Sequence, residues 1–393
     1  MTYYRRVGDV PRKRHTLHRV DGVVAAEELV GEEGFSGPSS LLYHRHSPSA
    51  ISAIEPVESS PSPLTPNQPV TPFHIRSGDV PMGDDSDAVT GRVTLLGNDD
   101  VTIGYGRAAV DSPLYRNAVG DELLYVQSGS AVLESVFGRL PVAAGDYVLV
   151  PTGVTHRWVV ERTPLELLVV ESRHHVGIPG RYLTPTGQLA EGAPFSERDL
   201  RGPDPEPLLV DGSDVEVLVR TRGGWSRHVH RHHPFDVVGW DGCVYPWALS
   251  IHDFEPIVGR IHQPPPVHQT FVGEGFVVCS FVPRPYDFDA HSVKVPYHHS
   301  NVDSDEVLFY SDGDFMSRAG SGIGIGSLSV HPAGFIHGPQ PGSRERSETA
   351  DGAEEVAVMI DTFRPLAISA AAHAASDPAY PWSWNGSSDR PAR

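Results

Sequence analysis

Residues 299–313 read HSNVDSDEVLFYSDG, and they align without a gap with YRNAVGDELLYVQSG at residues 115–129. Asn, Asp, Glu, Leu and Gly occupy the same places in both stretches, and His299 follows Tyr115 by 184 residues. Self-similarity at a fixed spacing is the usual sign of a duplicated structural unit. The chain is therefore predicted to contain two related halves.

A second shared motif follows each of these stretches. The spacing G-x5-P-x-G-x2-H ends on His156 in the first copy and on His337 in the second copy, 181 residues later. Two motifs that recur in the same order at nearly the same offset are hard to produce by chance. They support an ancient duplication of one folding unit.

The regions around these motifs have the pattern of short strands. Runs rich in apolar and β-branched residues, such as RVTLL, DYVLVP and LELLVVE, alternate with turns from about residue 90 onward. The 39 glycines and 36 prolines make up about 19% of the 393 residues, against about 12% in average proteins. Such frequent chain breakers argue against a helical bundle. We predict an all-β chain of two related β-barrel or jelly-roll halves with few helices.

The predicted organisation has four parts. An N-terminal arm at 1–89 contains a Ser- and Pro-rich stretch at 36–72, which we expect to be extended and irregular. A first barrel half at 90–215, with a degenerate site, precedes a second, catalytic half at 216–368. Residues 369–393 lack periodicity, so a tail that is flexible or docked on a neighbouring chain is expected.

Composition excludes several classes of partner. The chain carries 50 acidic and 31 basic residues, a net charge of −19, and should repel the phosphate backbone of nucleic acids. No apolar run approaches the ~18 residues needed to cross a bilayer, and the basic N-terminal stretch lacks the apolar core of a signal peptide. Cys243 and Cys279 cannot form a disulfide framework. We expect a cytoplasmic protein that binds neither nucleic acid nor membrane.

The candidate metal site of the second half consists of His299, Glu306 and His337. Two imidazoles and one carboxylate are the ligands of the facial triad that holds non-haem Fe(II) and leaves positions open for substrate and O2. Iron(II) is the expected metal, but zinc and manganese accept similar ligands. Residues i and i+2 share a strand face, so Asn301 lies on the same side as His299, which favours His299 over His298.

The repeat also indicates which of two adjacent carboxylates is the ligand, and it shows that the two halves differ in their candidate ligands. Glu306 is favoured over Asp305 because it matches Glu122 at the same distance from the shared asparagine. In the first half, Tyr115 stands where the second half has its first histidine, although Glu122 and His156 remain. A two-ligand remnant is a poor ferrous site, so we interpret the first half as a structural relic and expect one metal ion per chain.

The two motifs resemble those of the cupin superfamily, and longer stretches narrow the resemblance. GFSGPSSLLYHRHSPSAI, HHPFDVVGWDG, PYHHSNVDSDEV and SLSVHPAGFIHGPQPG are similar to homogentisate 1,2-dioxygenases, especially those of the actinobacterial type. The resemblance spans nearly the whole chain. It implies a bicupin that uses Fe(II) and O2 to open the ring of homogentisate to maleylacetoacetate, a step of tyrosine and phenylalanine breakdown. It also implies a homo-oligomer, either a trimer or a hexamer.

Position by position, the resemblance implies roles for residues around the metal. His299, Glu306 and His337 match the iron ligands of the family. Asn301 matches a residue near the carboxymethyl group of the substrate. His331 matches a histidine beside the substrate, where it would orient its neighbours through hydrogen bonds. The alternative for His331 is an ordinary strand histidine with satisfied hydrogen bonds.

Two positions depart from the better-known members of the family. Asp241 stands where those enzymes carry an acid–base histidine, and we expect Asp241 or His331 to manage the proton of the substrate hydroxyl. Phe315 stands where those enzymes carry a tyrosine that touches the substrate. Tyr297 is a further candidate for substrate binding. Arg318 is expected to lie at the surface, as most arginines do, and not to bind a substrate carboxylate.

Two other functions stay open on sequence grounds. The departures motivate a dioxygenase of the same fold that acts on another dihydroxylated aromatic, such as a gentisate-like compound. A non-catalytic, ligand-binding bicupin is the second alternative, and the presence of all three ligand types argues against it. Three segments have no assigned role: the alternating histidines at 228–232, a Pro-rich loop at 262–268 that could border the pocket, and a Gly-rich stretch at 319–326 that is a lid or a plain turn.

Overall fold

Strands dominate the fold, and the helices are short. The computed structural model describes residues 3–58, 63–258, 265–295, 297–318 and 320–385. Within these residues the α-helices are α1 (Ser343–Ser347) and α2 (Ala370–Ala374). No helix in this part of the chain is both long enough and apolar enough to span a membrane. The all-β prediction is confirmed.

The strands of the described residues follow one another at short intervals. In chain order they are β1 (Arg5–Gly8), β2 (Arg19–Val20), β3 (Val23–Val24), β4 (Ala26–Gly31), β5 (Ser39–His44), β6 (Ile51–Val57), β7 (Leu64–Pro66), β8 (Phe73–Arg76), β9 (Val93–Gly97), β10 (Val101–Ala108), β11 (Tyr115–Asn117), β12 (Glu122–Ser135), β13 (Gly138–Ala143), β14 (Asp146–Val150) and β15 (His156–Ser172). They continue with β16 (Val176–Gly177), β17 (Leu200–Arg201), β18 (Val215–Thr221), β19 (Gly224–His230), β20 (Val237–Gly242), β21 (Trp247–Ser250), β22 (Gln269–Gly273), β23 (Phe276–Phe281), β24 (Arg284–Pro285), β25 (Asp305–Gly313), β26 (Ser327–His331), β27 (Gly352–Ala353), β28 (Glu355–Thr362) and β29 (Ala367–Ser369).

The first barrel is built on a sheet of 14 strands in the described chain. At its centre β12 lies between β14 and β15, and both pairings are antiparallel. β14, with the sequence DYVLV, is buried at every position, as expected for a strand covered on both faces. β13 alternates buried and exposed residues, because one of its faces meets solvent.

The second barrel is a seven-stranded sheet in the order β16-β22-β23-β28-β25-β26-β8. Its central strand β25 lies between β28 and β26, again in antiparallel pairs. This arrangement repeats that of β12 in the first barrel. The motif glutamates, Glu122 and Glu306, lie at equivalent positions near the starts of the two central strands.

Matching hydrogen bonds show that the sequence repeat is a structural repeat. In the first half the amide of Gly153 donates to the carbonyl of Asn117 at 2.7 Å. In the second half the amide of Gly334 donates to the carbonyl of Asn301 at 2.6 Å. The bonds join the same two motifs in each half. The duplication predicted from the sequence therefore gives two related barrels, a bicupin.

Polar and apolar contacts join the two barrels. The hydroxyl of Tyr125 on β12 lies 2.7 Å from that of Ser311 on β25, and the hydroxyl of Tyr147 on β14 lies 2.8 Å from that of Ser280 on β23. Buried apolar side chains of both barrels belong to one continuous cluster. The junction is thus a packed core in which buried hydroxyls are paired, as buried polar groups must be.

The N-terminal arm differs from the prediction, because it is built into the sheets. Within the stretch 36–72, β5 joins a four-stranded sheet in the order β1-β20-β5-β4, and β6 pairs with β19. β6 contains Pro56 and lies at a sheet edge, where prolines are tolerated within sheets. The prediction was based on the Ser and Pro content of this stretch. It did not take account of the apolar residues in SSLLYH and ISAIEPV, which form β5 and β6.

The predicted boundary between residues 215 and 216 is not a boundary between the sheets. β18, β19 and β21 all join the first barrel, and the second barrel has β22 as its next strand in the chain. In the other direction, β8 of the arm pairs with β26, and β29 near the C-terminus pairs with β9. Alternation of polar and apolar residues identifies a strand but not the distant strand that pairs with it. No pattern in the sequence therefore indicated that strands are exchanged between the two barrels.

The C-terminal segment also differs from the prediction of a flexible tail. Residues 369–385 are described and packed: Ser369 caps α2 by accepting the amide of Ala372 at 3.1 Å, and the side chain of Tyr380 is fully buried. The remaining predicted tail, 386–393, lies outside the described residues. The ordered part of this segment reaches the candidate metal site described below.

A buried histidine in the four-stranded sheet carries a charge. His44 on β5 places Nδ1 2.6 Å from Asp236 Oδ1 and Nε2 2.9 Å from Glu28 Oε2. Burial by itself would lower the pKa of His44, but the hydrogen bonds to these two carboxylates outweigh it and raise the pKa to about 9. The folded state therefore favours the imidazolium form.

We predict that His44→Gln removes a pH-dependent contribution to stability. A raised pKa stabilises the fold fully below about pH 6.5 and loses that effect as the pH rises through about 9. The difference in unfolding free energy between wild type and variant should shrink by about 3 kcal/mol from pH 6 to pH 10. Urea unfolding at both pH values measures it. The exposed His291→Gln variant is the control, and a difference that does not change with pH would contradict the prediction.

Candidate metal centre

Two backbone hydrogen bonds bring the candidate ligands of the second half together. His299 and His337 form an isolated antiparallel bridge, in which the amide of each donates to the carbonyl of the other at 2.8 and 2.9 Å. Glu306 lies near the start of the adjacent β25. The two motifs, 38 residues apart from His299 to His337, thus meet at one end of the barrel.

The three side chains converge on one point. Nε2 of His299 lies 3.7 Å from Oε2 of Glu306, and Nε2 of His337 lies 3.3 Å from Oε1. One ligand atom from each residue lies within 4.8 Å of the others, and within the described residues this is the one such group of three or more metal-ligating side chains. His299 is partly exposed, whereas Glu306 and His337 are buried.

The protonation of these groups suits a cation. Nδ1 of His337 donates to the carbonyl of Phe335 at 3.0 Å, so the neutral ring presents an unprotonated Nε2, and this buried atom has no hydrogen-bond partner. Burial would raise the pKa of Glu306, but the imidazoles of His299, His331 and His337 around it hold that pKa well below its usual range. A carboxylate and two imidazole nitrogens fit a divalent transition metal.

A cavity of about 420 Å³ opens beside the cluster, large enough for a small aromatic molecule. Its wall includes His299, Glu306, Asn301, Tyr297, Arg318 and Asp361. The structure therefore brings Asn301 and Tyr297 into the site together with the candidate ligands, as the sequence predicts. The ring of Tyr297 stands edge-on to that of His299, with centroids 5.9 Å apart.

Arg318, expected at the surface, lies in the wall of the cavity. Its side chain is buried, and its hydrogen bonds go to neutral acceptors, Nε to the hydroxyl of Tyr310 at 3.0 Å and Nη1 to the carbonyl of Gly338 at 2.9 Å. A buried guanidinium held by neutral groups remains available to an anion that enters the cavity. The expectation that Arg318 lies at the surface was therefore wrong.

Asp361 is a residue of the cavity that the sequence analysis missed. It lies on β28 directly opposite Glu306, and its buried Oδ1 has no partner among the described residues. Burial, followed by the charge of Glu306, raises the pKa of Asp361 to about 7. Glu171 holds the corresponding position opposite Glu122 in the first half. The shared pattern of VVES and MIDT around these two acids was a usable signal.

His331 lies behind the ligands and not in the cavity wall. Its ring is fully buried, with Nδ1 2.9 Å from Glu306 Oε1 and Nε2 2.8 Å from the hydroxyl of Tyr380. The ring stacks on that of His337 at a centroid distance of 3.9 Å. Since both nitrogens are used inside the protein, His331 contacts a ligand and not the substrate space. This position corrects its predicted substrate-binding and acid–base roles.

Asp241 is not brought to the cavity by this chain. It lies on β20, between β1 and β5 of the four-stranded sheet, where its Oδ1 is 2.5 Å from Nε of Arg14. The pairing of β20 with the N-terminal strands decides this location, and no spacing in the sequence indicated it. The structure of this chain does not bring Asp241 to the cavity wall, and its acid–base role stays a prediction.

Phe315 likewise stands behind the cavity wall. It is buried against Tyr310, with ring centroids 4.9 Å apart and an edge-to-face angle of 74°. Tyr310 in turn accepts the hydrogen bond from Arg318. Phe315 thus supports the residue that holds Arg318 and is not among the residues of the cavity wall, which corrects its predicted contact with substrate.

In the first half a guanidinium lies against the glutamate of the motif. Nη1 of Arg92 lies 3.0 Å from Oε2 of the fully buried Glu122. The hydroxyl of Tyr115 and the amide of Asn117 each donate to Oε1 at 2.8 Å. Burial would raise the pKa of Glu122, but the charge of Arg92 and these groups lower it to about 2. His156 is present at the position equivalent to His337, but Tyr115 stands where the second half has His299.

The three unassigned segments give no second metal group within the described residues. Of the alternating histidines, His232 stacks on His46 with ring centroids 3.9 Å apart. Residues 262–264 of the Pro-rich loop lie outside the described residues, but the ring of His268 packs on Phe281, which borders the cavity. Residues 320–326 form turns, in which Gly320, Gly322 and Gly326 have positive φ angles.

Comparison with known proteins shows the family to which the chain belongs. The family model for the N-terminal part of homogentisate 1,2-dioxygenase matches residues 35–251, more than half of the chain. The chain belongs to the homogentisate 1,2-dioxygenase family. The resemblance read from the sequence motifs is therefore confirmed. The matched segment ends before the ligand cluster, so the assignment of the ligands depends on the second half itself.

Proteins similar to this chain are dioxygenases by name. A protein of Saccharolobus solfataricus named "Putative dioxygenase" is 39% identical over 388 residues, 98% of this chain and 99% of that protein. The homogentisate 1,2-dioxygenase of Emericella nidulans is 23% identical over 71% of this chain and 65% of the enzyme. That of Bradyrhizobium diazoefficiens is 26% identical over 73% of this chain and 67% of the enzyme. This chain therefore spans about two thirds of the length of these two homogentisate enzymes.

A cupin 2 conserved barrel domain protein from Leptotrichia buccalis aligns with 78% of this chain and 100% of its own, with a TM-score of 0.37 and 8% identity. The family match and the geometry together give a member of a dioxygenase family with a candidate metal site of two histidines and one glutamate.

For this family member we predict that His337→Gln abolishes stable metal binding. Anaerobic reconstitution with Fe(II), followed by desalting and metal analysis, should give about one ion per wild-type chain and less than about a tenth of that in the variant. His156→Gln makes the same change in the first half and should keep the metal. Equal loss in both variants would contradict the assignment.

We also predict that Arg92→Met destabilises the fold, because it leaves the carboxylate of Glu122 buried without its cation. The expected loss in unfolding free energy is about 3–5 kcal/mol, measured by urea unfolding. Arg107→Met breaks a more exposed pair with Glu166 and should cost less than about 1 kcal/mol. Similar losses in the two variants would show that Arg92 does not neutralise Glu122.

Proposed function

We propose that this protein is an Fe(II)-dependent dioxygenase that converts homogentisate and O2 to maleylacetoacetate. The observation that carries the proposal is the convergence of His299, Glu306 and His337 beside a cavity of about 420 Å³ in a chain of this family. The ligand set suits ferrous iron and leaves coordination positions on the cavity side. Family resemblance further favours a trimer or hexamer in the cytoplasm.

The chemistry of the cavity suits an aromatic acid. Homogentisate has two ring hydroxyls and a carboxymethyl group. Arg318 supplies a buried positive charge whose hydrogen bonds to the described residues go to the neutral hydroxyl of Tyr310 and the carbonyl of Gly338. Charge-assisted hydrogen bonds between a guanidinium and a carboxylate are about twice as strong as neutral ones. Arg318 is therefore proposed to bind the carboxylate of the substrate, with Asn301 and Tyr297 along the ring.

Iron held by His299, Glu306 and His337 supplies the redox chemistry that lets O2 react with an electron-rich ring. The ring bond that breaks joins a hydroxylated carbon to the carbon bearing the acetate group, and both oxygen atoms of O2 enter the product. Contacts with Arg318, Asn301 and Tyr297 would hold the ring in one orientation relative to the metal.

Polar groups of this chain orient the substrate hydroxyls. Asp361 lines the cavity, and its buried Oδ1 has no partner among the described residues, so we propose that its carboxyl group accepts a hydrogen bond from a hydroxyl. Because Asp241 and His331 lie outside the cavity wall, Asp361 is the carboxylate that we propose for holding this proton. Glu306 is committed to the histidines around it.

A second candidate substrate is another dihydroxylated aromatic acid. The sequence identities to known proteins support this second candidate. The relative that matches 98% of this chain is named only as a dioxygenase, whereas the homogentisate enzymes match at 23% and 26% identity. A gentisate-like compound offers the same hydroxyls with a shorter acid group. The two candidates share the metal and differ in the reach to Arg318.

We predict that the Fe(II)-loaded protein consumes one O2 per homogentisate and forms a product that absorbs in the near ultraviolet. An oxygen electrode should record faster uptake with homogentisate than with gentisate or with unsubstituted hydroquinone. Arg318→Met should raise KM for homogentisate by about 10- to 100-fold, because the carboxylate loses its charged partner. Arg107→Met, which changes an arginine elsewhere, should leave KM within about twofold.

Two results would overturn the proposal. Protein that takes up no iron under anaerobic reconstitution would exclude both dioxygenase candidates. Iron-loaded protein that oxidises gentisate or another hydroquinone much faster than homogentisate would replace the first candidate with the second.

A further inference from the structure

The ordered C-terminal segment packs directly behind the metal centre. Tyr380 is fully buried, and its hydroxyl lies 2.8 Å from Nε2 of His331. Nδ1 of His331 lies 2.9 Å from Oε1 of Glu306. A continuous chain of hydrogen bonds therefore runs from the C-terminal segment, through His331, to the carboxylate ligand.

The direction of these hydrogen bonds follows from the groups themselves. The carboxylate of Glu306 can only accept, so Nδ1 of His331 is the donor. A neutral imidazole has one donor nitrogen and one acceptor nitrogen. Nε2 is then an acceptor and receives the hydroxyl proton of Tyr380. The tyrosine thus selects the one tautomer of His331 that can donate to Glu306.

The backbone around the ligand loop ties the segment down. Nε1 of Trp384 donates to the carbonyl of Gly338, the residue after His337, at 3.0 Å. The indole also contacts the ring of Tyr380, with centroids 5.3 Å apart. Gln340, three residues after His337, donates to the hydroxyl of Ser383 at 2.8 Å. The segment is therefore fixed against the residues that follow His337.

The first barrel provides an internal comparison. In the second half His331 lies opposite Glu306, but in the first half Val150 lies opposite Glu122. The half that neutralises its glutamate with Arg92 has no hydrogen-bonding side chain at that position. The half that keeps a complete ligand set has one, and it has a tyrosine behind it. The relay, which is the chain of hydrogen bonds from Tyr380 through His331 to Glu306, is thus present in the barrel that has the complete ligand set and absent from the described residues of the other barrel.

We propose that Tyr380 is a positioning residue for the metal centre, acting through His331 to hold the carboxylate of Glu306 in its ligating orientation. Partners behind the ligands commonly orient them in this way. The role rests on the metal site of the proposed function but not on the identity of the substrate.

Cobalt(II) binding tests the proposal without turnover. Titration of the metal-free full chain, followed by visible absorption and chelator competition, should give a Co(II) dissociation constant about 10- to 100-fold higher for Tyr380→Phe than for wild type. Tyr147→Phe is the matched control, because it removes an equally buried hydroxyl at the junction of the barrels. Its Co(II) affinity should equal that of wild type.

A double-mutant cycle separates this role from a general loss of packing. If Tyr380 acts through His331, then Tyr380→Phe should have no further effect on Co(II) affinity in a His331→Val background, which copies the first barrel. Wild-type affinity of Tyr380→Phe, or an undiminished effect in the His331→Val background, would overturn the proposal. If Tyr380→Phe fails to fold, then Trp384→Phe, which loosens the same segment, must weaken Co(II) binding, and unchanged affinity would overturn it.

The two proposals fail separately. A protein that binds Co(II) through this relay but does not oxidise homogentisate would remove the proposed substrate and leave the role of Tyr380 intact. A protein that turns over homogentisate while Tyr380→Phe binds Co(II) normally would remove only the positioning role.

Discussion

A carboxylate buried at the end of each barrel is the constraint on which the rest of the site depends. Glu122 and Glu306 are both withdrawn from water, and a buried charge is costly unless it is paired and hydrogen-bonded. The first barrel meets this requirement with the guanidinium of Arg92. The second surrounds its glutamate with three histidines, two of which leave a position for a metal cation. One fold thus holds a structural ion pair and a candidate metal site at equivalent places.

The surroundings of the second site follow from the same requirement. His331 and Tyr380 supply hydrogen bonds from the protein interior, and the opposite side remains free for the cavity with Arg318 and Asp361. Charge is therefore arranged in layers: a cation site between carboxylate and imidazoles, a fixed guanidinium further along the wall, and a neutral relay behind. This order separates the groups that hold the metal from those that would hold an aromatic acid.

Sequence reasoning succeeded where the physical rule is local or repeated. The alternation of strand residues predicted the all-β fold, and the repeat selected His299, Glu306 and His337 from 21 histidines and 50 acidic residues. It did not predict the locations of Asp241 and Phe315 outside the cavity wall, because their roles came from matching short motifs. It also failed for the N-terminal arm and the C-terminal segment, because Ser, Pro and a lack of periodicity do not exclude pairing with distant strands. Asp361 was within reach, since it stands opposite Glu306 as Glu171 stands opposite Glu122.

By itself, the sequence determined that this chain contains two copies of one barrel, that the second copy keeps two histidines and a glutamate, and that the chain resembles one dioxygenase family. These properties depend on residue identity and spacing along the chain, which a repeat makes visible. Only the tertiary structure decided which charges meet: Arg92 with Glu122, Arg14 with Asp241, and Tyr380 with His331. Those pairs join residues from separate strands, and which strands become neighbours is decided by long-range pairing and burial that no local pattern encodes.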